Sequence, residues 1–124
     1  MTENEAIELG LFDNRDRWLG QVRIEGIQPD WVLGKLIPSP AYAQVEQFFR
    51  DFEDAVNQQG FTQADELYEA NIEPLGLQLR SANGLPPIDI RDVQIMNVRN
   101  FCCKISDQAA GLLRNLLDGV KQAS

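Results

Sequence analysis

The stretch that decides the fold comprises residues 38–60, PSPAYAQVEQFFRDFEDAVNQQG. Ser39 can cap a helix, Pro40 suits the first helical position, and Gly60 suits the end. Between these residues, apolar side chains recur every three or four positions, which is the spacing of an amphipathic helix. They are Tyr42, Val45, Phe48, Phe49, Phe52, Ala55 and Val56. We therefore expect one long helix here, with its apolar face packed on a sheet.

Three strands are predicted before this helix. Apolar and polar residues alternate through residues 7–11 and 21–25, and residues 31–37 form a third candidate strand. Trp18 and Trp31 flank the middle strand, and rings of this size most often anchor a core. We expect the three segments to form an antiparallel meander.

A second helix and three further strands are predicted after Gly60. Thr62 and Asp65 resemble a capping box that begins the helix, and Pro74 ends it. The strands are residues 75–80, 88–95 and 101–105, with a turn at Asn83 and Gly84.

The last predicted element is a helix over residues 107–123, capped by Ser106. Its apolar stripe consists of Ala109, Leu112, Leu113, Leu116, Leu117 and Val120. The resulting order, β-β-β-α-α-β-β-β-α, lacks regular βαβ alternation. It predicts an α+β fold with a largely antiparallel sheet of about five to six strands, packed against helices on one face. The 124 residues fit a single domain, 1–124.

The composition disfavours enzymatic catalysis. Histidine is absent, which removes the commonest general base and the commonest transition-metal ligand. The only cysteines, Cys102 and Cys103, are adjacent on a predicted strand, so we interpret them as reduced thiols, one buried and one half-exposed. We predict no enzyme, no cofactor and no dedicated metal site. A mechanism that uses carboxylates alone, with Asp51, Glu66 and Glu69, remains the only catalytic alternative.

Negative charge is concentrated in the middle of the chain. Residues 46–73 contain eight carboxylates and one base, Arg50, so they carry −7 of the total formal charge of −8. The acids are Glu46, Asp51, Glu53, Asp54, Asp65, Glu66, Glu69 and Glu73. Such a field repels nucleic acid and anionic lipid but attracts basic protein surfaces. We therefore predict a non-catalytic protein-interaction module, such as an adaptor, inhibitor or immunity-type protein, that binds a basic partner through these acids.

Two other functions remain open. The first is a small-molecule or divalent-metal-binding domain, with a pocket between sheet and helices and Trp18, Trp31, Tyr42 or Tyr68 near its mouth. The second is a homodimer formed through the C-terminal helix. Because the chain has no apolar run of about 20 residues and begins with acids rather than a basic, apolar leader, we expect a cytoplasmic protein without membrane contact.

Overall fold

The computed structural model describes residues 7–81, 85–97 and 99–123, with side chains as far as residue 116. The strands in this part of the chain are β1 (Ile7–Phe12), β2 (Trp18–Ile27), β3 (Trp31–Pro38), β4 (Gln78–Arg80), β5 (Ile88–Asp89), β6 (Arg91–Met96) and β7 (Asn100–Lys104). The helices are α1 (Glu46–Asn57), α2 (Phe61–Leu67) and α3 (Asp107–Ala123). A 3₁₀ segment, Pro40–Gln44, precedes α1, whereas a π turn, Tyr68–Ile72, and a 3₁₀ turn, Glu73–Leu75, follow α2.

All pairings between these strands are antiparallel, and their order across the sheet is β5-β4-β1-β2-β3-β7-β6. The predicted α+β class is therefore confirmed. The predicted detail is wrong, because seven described strands curve into a nearly barrel-shaped sheet, whereas about five to six strands packed against helices on one face were predicted. The predicted turn at Asn83 and Gly84 lies outside the described residues.

The chain itself connects the two edges of this sheet. β5 and β6 stand at opposite ends of the strand order, yet Ile90 alone separates them in sequence. Residues 88–95 are thus two strands, where the sequence predicted one. Two residues after the break, Asp92 has a φ of +51° and lies where the register of β6 against β7 shifts. Aspartate tolerates this left-handed conformation better than most residues, and the resulting bulge redirects the strand.

One hydrophobic cluster fills the interior. Its sheet residues come from the alternating buried positions that the sequence pattern predicts, such as Val22 and Ile24 on β2 and Phe101 and Cys103 on β7. Its helical residues include Phe49, Phe52, Ala64, Ala109, Ala110 and Leu113. Because helices and sheet share this single cluster, α1, α2 and α3 are all held by the same core.

The predicted helix ends are partly wrong. Ser39 has an extended backbone and donates its hydroxyl hydrogen to the Trp18 carbonyl at 2.5 Å, so it ties the 3₁₀ segment to β2 and does not cap α1. After α1 the left-handed residue is Gln59, with a φ of +62°, and Gly60 is the cap position of α2. Thr62 consequently lies inside α2. The prediction for α3 is confirmed, since the Ala109 amide donates to the Ser106 hydroxyl at 3.1 Å.

Asp13 organises the turn between β1 and β2. It is 1% exposed and accepts bonds from the amides of Arg15 and Arg17 at 2.9 and 3.0 Å. The Arg17 guanidinium adds a 2.7 Å ion pair to Asp13 and also donates to the side chain of Gln44. A buried carboxylate is therefore fully hydrogen-bonded, and the same arginine joins the turn to the segment before α1.

Replacement of Asp13 is expected to destabilise the fold in a pH-dependent way. Burial alone raises the pKa of Asp13, but the bonds from Arg17 and Arg15 outweigh burial and lower the pKa below its ordinary 3.8. The stabilisation is therefore complete above the unfolded-state pKa and is lost as the pH falls through the lower folded-state pKa. We expect Asp13→Ala to reduce the free energy of unfolding at neutral pH by about 2–4 kcal/mol and Asp13→Asn by about 1–2 kcal/mol.

Urea denaturation at neutral and acidic pH measures both effects. The difference between wild type and Asp13→Asn should shrink in acid, because both then carry an uncharged side chain. A difference that stays constant down to the acid limit would show that the Asp13 charge contributes nothing.

Candidate functional site

The four acids of α1 are used within the fold to different degrees. Arg50 donates to the same Glu46 oxygen from Nε at 3.0 Å and from Nη2 at 2.6 Å. Asp51 accepts from the Gln47 side chain at 2.8 Å. Glu53 accepts from the Asn97 amide, at 3.1 and 3.3 Å for its two oxygens, whereas Asp54 is exposed. Glu53 thus links α1 to the end of β6.

The four acids that follow α1 are all exposed. Asp65 and Glu66 lie on α2, Glu69 on the π turn and Glu73 on the 3₁₀ turn. In the part of the chain that the structure describes, none of these four acids forms an ion pair within 4.0 Å. Of all eight acids predicted to bind a partner, Glu46 alone forms an ion pair with a described residue. The prediction that these acids share one face assumed a continuous α-helix. An α-helix, a π turn and a 3₁₀ turn instead follow one another, and each has a different number of residues per turn. The negative charge of this segment nevertheless faces solvent.

Phe61 is a large apolar side chain on the same surface. It begins α2, four residues before Asp65, and 61% of it is exposed. Its spacing to Ala64 and Tyr68 is that of a buried stripe, so the sequence pattern alone gives no sign of this exposure. We call Phe61, Asp65, Glu66, Glu69 and Glu73 the α2 surface.

A cavity of about 410 Å³ opens between α1 and β6. Its walls are formed by Tyr42, Glu46, Gln47, Phe49, Arg50, Glu53, Asp54, Ile95 and Asn97. Tyr42 is 3% exposed and stacks on Phe49, with 6.1 Å between ring centroids. Burial raises the pKa of Tyr42, and the nearby Glu46 carboxylate raises it further. The phenol therefore stays protonated throughout the physiological range.

The structure does not bring the four predicted pocket aromatics together. Tyr68 lines a separate cavity of about 260 Å³ and accepts from the Val93 amide at 2.9 Å. Trp18 is half-exposed and lines a cavity of about 450 Å³ beside Phe12 on the outer face of the sheet. Trp31 lies on that face beneath the Lys104 ammonium, 5.5 Å from the ring centroid. Tyr42 and Tyr68 thus line cavities beside helical segments, whereas Trp18 and Trp31 lie on the outer face of the sheet. Trp18 is therefore not the core anchor that its size predicted.

Metal-binding and nucleophilic groups do not converge in the residues described. No group of three or more carboxylate, cysteine or histidine side chains that could hold a metal ion occurs among residues 7–81, 85–97 and 99–116. The carboxylates considered for catalysis are divided, with Asp51 on α1 and Glu66 on α2. Cys103 is buried and Cys102 half-buried, as predicted, and burial raises the pKa of both thiols. Both cysteines therefore remain protonated and weakly nucleophilic.

Comparison with known proteins gives no assignment for this arrangement. No family model matches the chain, and neither the curated proteins nor the solved structures contain a match. None of the helices in the described region has the length and apolarity required to cross a membrane.

Removing charge from the α2 surface is expected not to harm the fold. Like charges three or four residues apart on a helix destabilise it by about 0.2–0.5 kcal/mol per pair. The double variant Glu66→Gln with Glu69→Gln should therefore unfold at the same or a slightly higher urea concentration than wild type. Glu53→Ala is the matched comparison, and it should lose about 1 kcal/mol because the Asn97 amide loses its acceptor.

Equilibrium urea unfolding of the three proteins checks this contrast. A loss above about 1 kcal/mol in the double variant would mean that these acids serve the fold and not the surface.

Proposed function

We propose that this chain is a non-catalytic protein-interaction module that docks a basic surface of another protein against the α2 surface. The observation that supports this proposal best is the exposure of Phe61 next to carboxylates without ion pairs. Folding gains little from a phenylalanine that stays 61% exposed, whereas a partner that covers it gains the burial of the rest of the ring.

The mechanism has an electrostatic step and an apolar step. The acids of the α2 surface attract a basic partner and orient it during encounter. Phe61 then enters a pocket on the partner and loses its contact with water. A central aromatic anchor surrounded by charged residues is the usual composition of a binding hot spot and its rim. The partner is therefore expected to present lysine or arginine around an apolar depression.

The proposal is tested with a synthetic amphipathic lysine–leucine peptide as a probe and its glutamate–leucine counterpart as a charge control. Affinity is measured by calorimetry, and the contact surface by amide shift changes in labelled protein. Phe61→Ala should weaken lysine–leucine binding by about tenfold or more, because truncating an aromatic anchor costs at least about 1.4 kcal/mol. Added salt should weaken binding as well.

Ile37→Ala is the matched control variant. Ile37 is 57% exposed, close to the 61% of Phe61, but it lies on β3 and is not part of the α2 surface. It should bind the lysine–leucine peptide as wild type does. Equal affinity of wild type and Phe61→Ala, binding that ignores salt, or shift changes centred on β3 would each contradict the proposal.

A second candidate function is self-assembly through α3. Leu112 and Leu116 are exposed one helical turn apart, and Leu112 borders a cavity of about 310 Å³ together with Pro86 and Pro87. We propose that a second copy of the chain covers this apolar strip, since a two-fold interface pairs the same patch on both subunits.

Sedimentation equilibrium distinguishes the two assembly states. The wild type should have the mass of a dimer at high concentration, and Leu112→Lys with Leu116→Lys should have the mass of a monomer with an unchanged circular dichroism spectrum. Arg114 is exposed and lies between the two leucines in sequence. Arg114→Ala should therefore have the same mass in solution as the wild type. A monomeric wild type at every accessible concentration would refute assembly through α3.

A further inference from the structure

Tyr42 has a hydroxyl group that the fold does not use. Its ring is fixed by burial and by the stacking on Phe49. No hydrogen bond of the hydroxyl occurs within the described part of the chain. Among the described residues, every fully buried side-chain oxygen or nitrogen has a hydrogen-bond partner. Because the Tyr42 hydroxyl has none, its oxygen must be partly accessible to solvent. Tyr42 is thus only 3% exposed but keeps its hydroxyl oxygen accessible, and the same residue lines the cavity.

The charged groups that act on this phenol all line the same cavity. They are Glu46, Arg50 and Glu53, and Tyr42 lines this cavity together with them. The Arg50 guanidinium is held by Glu46, with two donors on one oxygen. Glu53 and the exposed Asp54 have no cation of the described chain within ion-pair distance. The cavity therefore has an excess of negative charge.

We propose that the cavity between α1 and β6 binds an alkylammonium group. The ammonium hydrogens are donated to the Glu53 carboxylate and to the Tyr42 oxygen, while the alkyl chain lies against Phe49 and Ile95. The phenol keeps its own proton and can donate it to a neighbouring carboxylate. Small-molecule sites typically have volumes of about 300–1,000 Å³, and this cavity of about 410 Å³ falls within that range.

Other classes of ligand fit these walls less well. An anion meets three carboxylates and an arginine that Glu46 already neutralises. An uncharged apolar molecule leaves Glu53 and the Tyr42 hydroxyl without a new partner, although they border the space it fills. A divalent metal ion needs several converging oxygen ligands, and no group of three occurs in the described region.

This inference stands apart from docking on the α2 surface, since it depends on Tyr42 and Glu53 and not on Phe61. The same chemistry can come from a free aliphatic amine or from the lysine side chain of a polypeptide. Both present an ammonium group on an alkyl chain, so the experiment has one arm for each source.

The first arm titrates n-butylammonium and the second titrates lysine capped at both its backbone ends, with butyrate as the anionic control of equal length. Binding is followed by amide shift changes at residues that line the cavity. Butylammonium should bind and butyrate should not. Binding of butylammonium alone assigns the site to a free amine, whereas binding of the capped lysine as well extends it to a polypeptide side chain.

Matched variants assign the binding to the proposed groups. Tyr42→Phe keeps the stacked ring but removes the hydroxyl, and Glu53→Gln removes the charge; each should weaken binding of butylammonium by about tenfold. Asp51→Asn removes a charge of α1 outside the cavity, Tyr68→Phe removes a hydroxyl elsewhere, and Phe61→Ala alters the α2 surface. These three should bind as wild type does. Absence of butylammonium binding, equal binding of butyrate, or wild-type affinity in both Tyr42→Phe and Glu53→Gln would overturn the proposal.

Discussion

The fold depends on one constraint, which is that a seven-stranded sheet must bring its two edges together through a single residue, Ile90. Curling the sheet this far encloses the apolar faces of its strands and reduces the unpaired edges at which other chains could add. Two residues after Ile90, Asp92 has a left-handed conformation where the register of β6 against β7 shifts. β6 is consequently placed beside α1, and the cavity between them exists because of this closure.

Local patterns predicted most of the elements but not how the sheet closes. Alternation located β1, β2, β3 and β7, and Ser106 marked the start of α3, because these signals depend on neighbouring residues. The division of residues 88–95 was not predictable in this way. The apolar pattern continues through this segment, with a shift of one residue at the bulge, as Ile88, Ile90, Val93 and Ile95. Only the pairing of β5 with β4 and of β6 with β7 shows that they are separate strands.

The candidate site was predictable to the extent that it depends on formal charge. The sequence shows an excess of acids, but it does not show that Glu53 is bound to the Asn97 amide while Glu66 and Glu69 face solvent. Aromatic side chains were harder to place than acids. Phe61 has helical spacing to buried residues and is exposed, and Trp18 has the size of a core residue and is half-exposed. Burial depends on where the segments pack, which residue type and spacing do not specify.

The side chains of α1 and those of α2 differ in how far the fold uses them, and this difference underlies the two proposed sites. On α1, Glu46 is paired with Arg50 and Glu53 accepts from the Asn97 amide, so part of their charge has a structural role. The hydroxyl of Tyr42, which lines the same cavity, has no such role in the described chain. On α2 and the turns after it, the acids have no ion pair within the described chain and Phe61 is mostly exposed, and like charges in succession weaken a helix. A macromolecule suits an exposed aromatic anchor such as Phe61, whereas a small cation suits a recess with a polar side chain in its wall. The two proposed sites therefore differ in the size of the ligand they would take but not in the sign of its charge.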